Sequence, residues 1–143
     1  MKKKIIKVIF PKSKNLGRRV WGKEKLLAII PKVLSLKLLE IKKGKKGNLQ
    51  YHHKKNECGY LISGNLIVRY DNGKGKLTKK ILRPGDCFHF PPGSVHQEEA
   101  ISNCKILEAS SPHFNDRVRV EKKYGLISAK GLPSTSKNEV ILK

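Results

Sequence analysis

The sequence reads GKKGNLQYHHKKNECGYLISG over residues 44–64 and GDCFHFPPGSVH over residues 85–96. Both stretches begin with glycine and place polar, ligand-type side chains between short apolar runs, an arrangement that predicts strands separated by turns. Side chains two residues apart on a strand point to the same face. Gln50 and His52 are therefore predicted to project together toward one side of a strand.

Two further side chains can join this pair. The turn at residues 54–56 can return Glu57 on a neighbouring strand, and the Pro-Pro-Gly corner can bring in His96 from the opposite sheet. Two imidazole nitrogens, a carboxylate and an amide oxygen suit one divalent transition metal: Zn, Fe, Mn or Ni. The predicted ligands are Gln50, His52, Glu57 and His96. For Gln50 an alternative is open, since a glutamine on a barrel wall can simply hydrogen-bond its neighbours.

The rest of the chain repeats the rhythm of short strands and turns. Turn signals recur about every 8 to 12 residues without a long helical period, which is typical of antiparallel sandwiches and barrels. The predicted strands cover residues 33–41, 49–53, 57–63, 65–70, 76–82, 87–90 and 101–110. Residues 1–12 are predicted to form an edge or swapped strand, and residues 13–25 a covering arm. The sequence thus predicts an all-β, antiparallel, single-domain protein.

The composition restricts the class of protein further. The 143 residues carry 32 Lys and Arg against 11 Asp and Glu, a net charge of +21. This field favours anionic ligands, but the basic residues are scattered without the aromatic interleaving used to bind nucleic acid, which is not an expected partner. No apolar run approaches the roughly 20 residues of a membrane span. Lys7 and Pro11 interrupt the N-terminal apolar run, which argues against a signal peptide and for a cytoplasmic protein.

Both quoted stretches match the spacing of the two signature motifs of the cupin superfamily, and the sequence is similar to that family over residues 33–110. Gln50 stands where the first of two histidines usually lies, as in the mannose-6-phosphate isomerases. Residues 19–22, RVWG, are similar to the Arg-Pro-Trp-Gly entry of the type II isomerases, and residues 116–125 resemble their closing segment. The chain has Leu126 where these relatives usually carry Arg.

The resemblance implies a domain organisation and an assembly. It places an antiparallel jelly-roll barrel at residues 33–128, after an N-terminal arm or edge strand at residues 1–32 and before a tail at residues 129–143. It also implies a homodimer in which the N-terminal strand covers sheet edges.

The same family motif admits a second register for the metal site. Tyr51 and His53 would then accompany Glu57 in place of the first pair. The spacing from Gly44 supports the first register, which is therefore preferred.

The resemblance further implies a metal-binding protein that binds or acts on a small, anionic, carbohydrate-like metabolite, as a sugar-phosphate isomerase does. In that case the metal polarises a carbonyl group while a base moves a proton between adjacent carbons. An iron-dependent cupin dioxygenase is a second interpretation, and a non-catalytic module that binds a sugar or another small molecule is a third. The sequence leaves open whether the protein is an enzyme.

Two pairs of charged residues are candidates for contact with the ligand. Arg117 and Arg119 can bind an anionic group or can simply decorate a strand. Glu98 and Glu99 can serve as acid–base groups at the pocket mouth or form a solvated pair. No residue stands out as the base.

Overall fold

The computed structural model describes residues 1–114 and 116–126, which fold almost entirely into β-strands. The strands in this part of the chain are β1 (Lys14–Arg19), β2 (Gly22–Ile30), β3 (Leu34–Ile41), β4 (Gln50–His52), β5 (Glu57–Ser63), β6 (Leu66–Asp71), β7 (Leu77–Leu82), β8 (Cys87–Phe90), β9 (His96–Ala100), β10 (Cys104–Ser110) and β11 (Arg117–Arg119). One short 3-10 helix, Glu121–Tyr124, follows them. Over the described residues, no helix has the length and apolarity needed to span a membrane.

The strands assemble into two antiparallel sheets. One sheet has the order β1-β2-β3-β10-β5-β8, and the other has the order β11-β4-β9-β6-β7. Neighbours such as β3 and β10 are far apart in sequence, because the chain crosses repeatedly between the sheets as in a jelly roll. The predicted all-β, antiparallel jelly-roll fold is confirmed.

The strand β3 shows how the sequence separates the two faces of the larger sheet. Every second residue from Ser35 to Ile41 is buried, and the residues between them are half-buried. This is the period-2 alternation of a strand with one face on the core. Ile41 joins an apolar core in which Leu61 and Ile106 are fully buried.

The N-terminal region differs from the prediction. The covering arm predicted at residues 13–25 is instead β1 and the first half of β2, and β2 pairs with β3 along its whole length. The cause is an alternation within β2, where Glu24 and Leu26 point inward between exposed lysines. Residues 1–12 contain no strand, so the predicted edge strand does not form within the single chain. The swapped alternative requires a second chain.

Two differences concern the C-terminal half. The last long strand begins at Cys104 and not at residue 101, because residues 101–103 form a turn. No prediction covered β9, which pairs with both β4 and β6, since its sequence HQEEA has no apolar alternation. The predicted tail at residues 129–143 lies outside the described residues.

The turn between β5 and β6 depends on Gly64. Its φ is +84°, and a Cβ atom at this position would lie 2.2 Å from the carbonyl oxygen of Asn103. Only glycine combines a left-handed backbone with so close an approach.

We expect Gly64→Ala to lower the free energy of unfolding by about 3 kcal/mol, since left-handed strain adds to the forced displacement of Asn103. Urea denaturation measures the loss. Gly73→Ala is the matched control, because Gly73 has a φ of +86° but nothing within 4 Å of an added Cβ. Its expected loss is about 1 kcal/mol. Equal losses in the two variants would contradict the close-approach argument.

Candidate metal centre

Three side chains with metal-binding atoms meet between the two sheets. His52 ends β4, Glu57 begins β5 and His96 begins β9. The Oε1 atom of Glu57 lies 3.5 Å from His52 Nε2 and 3.3 Å from His96 Nε2. The three donor atoms lie within 4.8 Å of one another, and all three residues are buried. Atoms this close can share one ion.

Strand pairing and hydrogen bonding direct the two imidazoles. Gln50 of β4 lies opposite His96 of β9, and His52 follows two residues later on the same face. The ring of Phe90 stacks on that of His96 with 3.9 Å between centroids. His96 Nδ1 donates a hydrogen bond of 2.9 Å to the carbonyl oxygen of Ser94. Because Nδ1 carries the proton, the neutral ring presents Nε2 to the centre as an electron-pair donor.

The carboxylate of Glu57 is kept ionised inside the protein. Lys55 Nζ lies 2.8 Å from Glu57 Oε2 and 3.4 Å from Glu108 Oε1. Burial by itself raises the pKa of Glu57, but the Lys55 ammonium beside its Oε2 holds it well below its usual range. Lys55 occupies Oε2, so Oε1 is the oxygen that faces both imidazoles.

Gln50 supplies a fourth potential donor. Its side chain lines the same cavity as the other three, and its Oε1 is buried without a hydrogen-bond partner among the described residues. An unpaired buried acceptor costs about 1–3 kcal/mol. A cation at the centre would supply the missing partner. The donor set therefore fits a divalent metal of the Zn, Fe, Mn or Ni type.

The residues of the second register, Tyr51 and His53, lie elsewhere. Their rings contact each other edge to face, with 5.5 Å between centroids, and neither lines the cavity. His53 is exposed. The structure thus brings together the residues of the first register and leaves those of the second apart.

A cavity of about 130 Å³ adjoins the donors. Trp21, Leu39 and Ile41 form its apolar side. Charged residues from both sheets complete the wall, namely Glu24, Lys37, Lys55, Glu98, Glu108 and Arg117. Pockets for drug-sized ligands start at roughly 300 Å³, so this cavity, which is open on one side, holds a small ligand or the reacting end of a larger one.

The two predicted acid–base candidates have different environments. Glu98 lines the cavity, and burial together with the nearby charges of Glu108 and Glu57 raises its pKa to about 8. Glu99 forms an ion pair with Arg69. The predicted pair is thus divided, and only Glu98 can reach a bound ligand.

The two predicted arginines are divided in the same way. Arg117 lies opposite His52 in the β11–β4 pairing and lines the cavity. Arg119 is exposed, and its Nη2 lies 3.0 Å from Glu121 Oε1. Arg117 can therefore meet an anionic ligand, whereas Arg119 belongs to an ion pair away from the cavity.

Sequence reasoning missed several contributors to the site. The sequence places Lys55 only in a turn and assigns no task to Asp116. Asp116 contacts His52 across 64 positions of sequence, and Lys55 is enclosed by Glu108 of β10 as well as by Glu57, so local patterns do not indicate either role. Lys37 and Glu24, a buried ion pair with 2.7 Å between Nζ and Oε1, did leave a signal. Lys37 occupies an inward position in the alternation of β3, where a charged residue needs a buried partner.

Comparison with known protein families places most of the barrel in one of them. The Cupin_2 family model, described as a cupin domain, matches residues 37–110. This range contains all four potential donors and most of both sheets. The strands β1, β2 and β11 lie outside it.

Sequence relatives and solved structures agree with this match. The chain is 27 % identical over 84 residues to an oxalate decarboxylase of Arthroderma benhamiae, covering 58 % of this chain and 20 % of that protein. It is 32 % identical over 74 residues to an uncharacterised protein of Methanocaldococcus jannaschii, covering 50 % and 55 %. The capsular polysaccharide assembling protein CapF of Staphylococcus aureus has the same fold, with a TM-score of 0.67 at 16 % identity over 78 % of this chain and 32 % of that chain. The chain thus spans between a fifth and about half of the length of these proteins.

We expect Gln50→Leu to weaken the binding of Zn²⁺ at least about tenfold without destabilising the metal-free protein. The reason is that Gln50 Oε1 has no hydrogen-bond partner to lose among residues 1–114 and 116–126. Chelator competition measures the affinity, and thermal unfolding of the metal-free form measures the stability. The double variant His52→Ala/His96→Ala is the control and should lose stoichiometric metal. A Gln50→Leu protein that binds Zn²⁺ normally, or unfolds more readily without metal, would contradict this role.

Proposed function

The chain belongs to the Cupin_2 family of cupin domains, and we propose that it is a metal-dependent cupin that binds and isomerises a small, anionic, carbohydrate-like metabolite. One observation carries the proposal. Three buried donors share a small cavity with an arginine, a carboxyl group and an amide oxygen that has no hydrogen-bond partner in the described part of the chain. When bound, the divalent metal supplies a Lewis acid that polarises a ligand oxygen.

The donors have defined tasks in this proposal. His52, Glu57, His96 and Gln50 hold the ion. The Lys55 ammonium keeps Glu57 ionised, so the centre offers one negative charge to a divalent cation and retains a net positive charge. A ligand that carries an anionic or strongly polar oxygen is favoured there.

Arg117 supports an anionic ligand. It lines the cavity from β11, next to the strand that carries His52. A guanidinium group binds carboxylate or phosphate through two parallel hydrogen bonds. The net charge of +21 adds a long-range attraction for anions.

The carboxyl groups that line the cavity favour a ligand with hydroxyl groups and provide a group for proton transfer. Glu98 and Glu108 line the cavity with oxygen atoms that accept hydrogen bonds from hydroxyl groups. Glu98 is the group we assign to proton transfer, since its carboxyl faces the space beside the donors.

The curated relative named an oxalate decarboxylase favours a second candidate, metal-dependent chemistry on a small carboxylate. A cavity of about 130 Å³ suits a ligand of that size. The iron-dependent dioxygenase considered from the sequence is a separate candidate, which bound iron together with oxygen uptake would identify.

We expect Arg117→Gln to weaken anion binding about tenfold or more, because it removes the bidentate cation from the cavity. Isothermal titration of the metal-loaded protein measures the affinity, with mannose 6-phosphate and oxalate as probes. Arg119→Gln is the matched control and should bind as the wild type does, since Arg119 pairs with Glu121. Equal effects of the two variants would contradict the role of Arg117.

Turnover in the same samples separates the candidate functions. Deuterium incorporation at the carbon next to the carbonyl of the sugar phosphate, followed by NMR in D₂O, supports the isomerase. Loss of oxalate supports the second candidate. Binding of either probe without conversion identifies a non-catalytic module.

We also propose a homodimer, which the outer face of the larger sheet supports. The side chains on this face form apolar rows across three strands, with Leu38, Leu107 and Tyr60 in one row and Leu36, Ala109 and Cys58 in the next. Tyr60 and the neighbouring Ile62 are 45 % and 43 % exposed. Such a face is typical of a surface that another protein covers.

The N-terminal segment supports the same assembly. Ile5, Ile6, Val8, Ile9 and Phe10 are each at least 77 % exposed. Their alternation with lysine suits an added strand. A second copy of the chain offers an open sheet edge and the apolar outer face of its larger sheet. In the dimer, the N-terminal segment of each chain would cover the larger sheet of the other.

We expect light scattering after size exclusion to give the mass of a dimer for the full chain and of a monomer after deletion of residues 2–10, because the deletion removes the apolar segment. The control Lys4→Gln/Lys7→Gln keeps that segment and should remain dimeric. A monomeric wild type at micromolar concentration would contradict the proposed dimer.

The cysteines support the proposed cytoplasmic location. Cys58, Cys87 and Cys104 are free thiols, and the first two are exposed. Exposed thiols persist in a reducing compartment.

A further inference from the structure

One carboxylate links the C-terminal segment to the metal centre. Asp116 precedes β11 and lies outside the range that matches the family model. Its Oδ1 accepts a hydrogen bond of 3.1 Å from His52 Nδ1. Its Oδ2 accepts hydrogen bonds of 2.7 and 2.9 Å from the backbone N–H groups of Lys54 and Lys55. The two oxygens therefore serve two different parts of the site.

The first bond fixes the tautomer of His52. Asp116 Oδ1 lies 3.1 Å from His52 Nδ1, and its Oδ2 already accepts hydrogen bonds from two backbone N–H groups. A carboxylate bonded in this way is the acceptor, so His52 Nδ1 carries the proton. The lone pair then lies on Nε2, the atom that faces Glu57 Oε1. A carboxylate on the far nitrogen also makes the imidazole a stronger metal ligand.

The two hydrogen bonds to Asp116 Oδ2 fix the turn between the metal-binding residues His52 and Glu57. Lys54 and Lys55 connect the strand that ends at His52 with the strand that begins at Glu57. Anchoring their amides sets the path by which Lys55 Nζ reaches Glu57 Oε2, at 2.8 Å. Asp116 thus holds both His52, at the end of β4, and the turn that leads to Glu57 of β5.

We propose that Asp116 is a positioning residue of the metal centre, which orients His52 and the turn before Glu57 and so raises metal affinity. This inference rests on the proposed metal site. It gives the C-terminal segment a task that the matched cupin range does not include.

The experiment compares three variants of the full chain. Zn²⁺ affinity is measured by chelator competition, and the geometry of the site by the visible absorption of the Co²⁺-loaded protein. Asp116→Ala should weaken Zn²⁺ binding about 10–100-fold and alter the Co²⁺ spectrum. Asp116→Asn, which keeps one acceptor oxygen, should restore part of the affinity.

Asp86→Ala is the matched control for a merely structural role. Asp86 Oδ2 accepts a hydrogen bond of 2.8 Å from the backbone N–H of Arg83 and so caps a turn in the same manner, but it contacts none of the donors. This variant should lose some thermal stability and bind Zn²⁺ as the wild type does. A metal affinity that simply follows melting temperature across the three variants would overturn the positioning role.

Two further outcomes separate this inference from the proposed function. A wild-type protein that binds no divalent ion overturns the metal site and the role of Asp116 with it. A wild type that binds Zn²⁺ tightly, beside an Asp116→Ala variant that binds it equally well, overturns only the role of Asp116. In the metal-free protein, ¹⁵N NMR should show His52 protonated at Nδ1 in the wild type and as a tautomer mixture in Asp116→Ala.

Discussion

An ionised carboxylate is costly to bury unless cations and hydrogen bonds surround it, and Glu57 imposes that requirement on the interior of the barrel. Lys55 compensates the charge of Glu57 at Oε2, while Oε1 faces the two imidazoles with which it would share a metal ion. Lys55 is itself only 14 % exposed in its side chain and is shared with Glu108. One part of the barrel interior is therefore a connected set of charges, while another part is an apolar core built around residues such as Leu61.

The parts of this arrangement that arise within one strand or one hairpin could be predicted from sequence. The alternation in β3 and the turn residues at 71–75 determine local structure directly, because side-chain direction and backbone freedom are local properties. The spacing from Gln50 to Glu57 is also a local feature of the sequence. It places two donors on one face and the third across a short turn, and the structure brings all three to one cavity.

The parts that depend on distant segments could not be predicted. The polar run of β9 becomes a strand because β4 and β6 flank it on both sides. The lysines of β2 obscured an alternation that acquires meaning only when β3 lies beside it. Asp116 contacts His52 across 64 positions of sequence, and no pattern within either segment predicts this contact. Tertiary contact decided each of these cases, and local propensity did not.

The buried ion pairs also have a thermal consequence. Lys37 with Glu24, and Lys55 with Glu57, have side chains at most 14 % exposed. Removing such charges from water becomes less costly on heating, because the hydration of ions is entropically unfavourable, whereas the stabilisation from apolar burial reaches a plateau. The charged part of the interior therefore becomes a relatively larger source of stability as temperature rises.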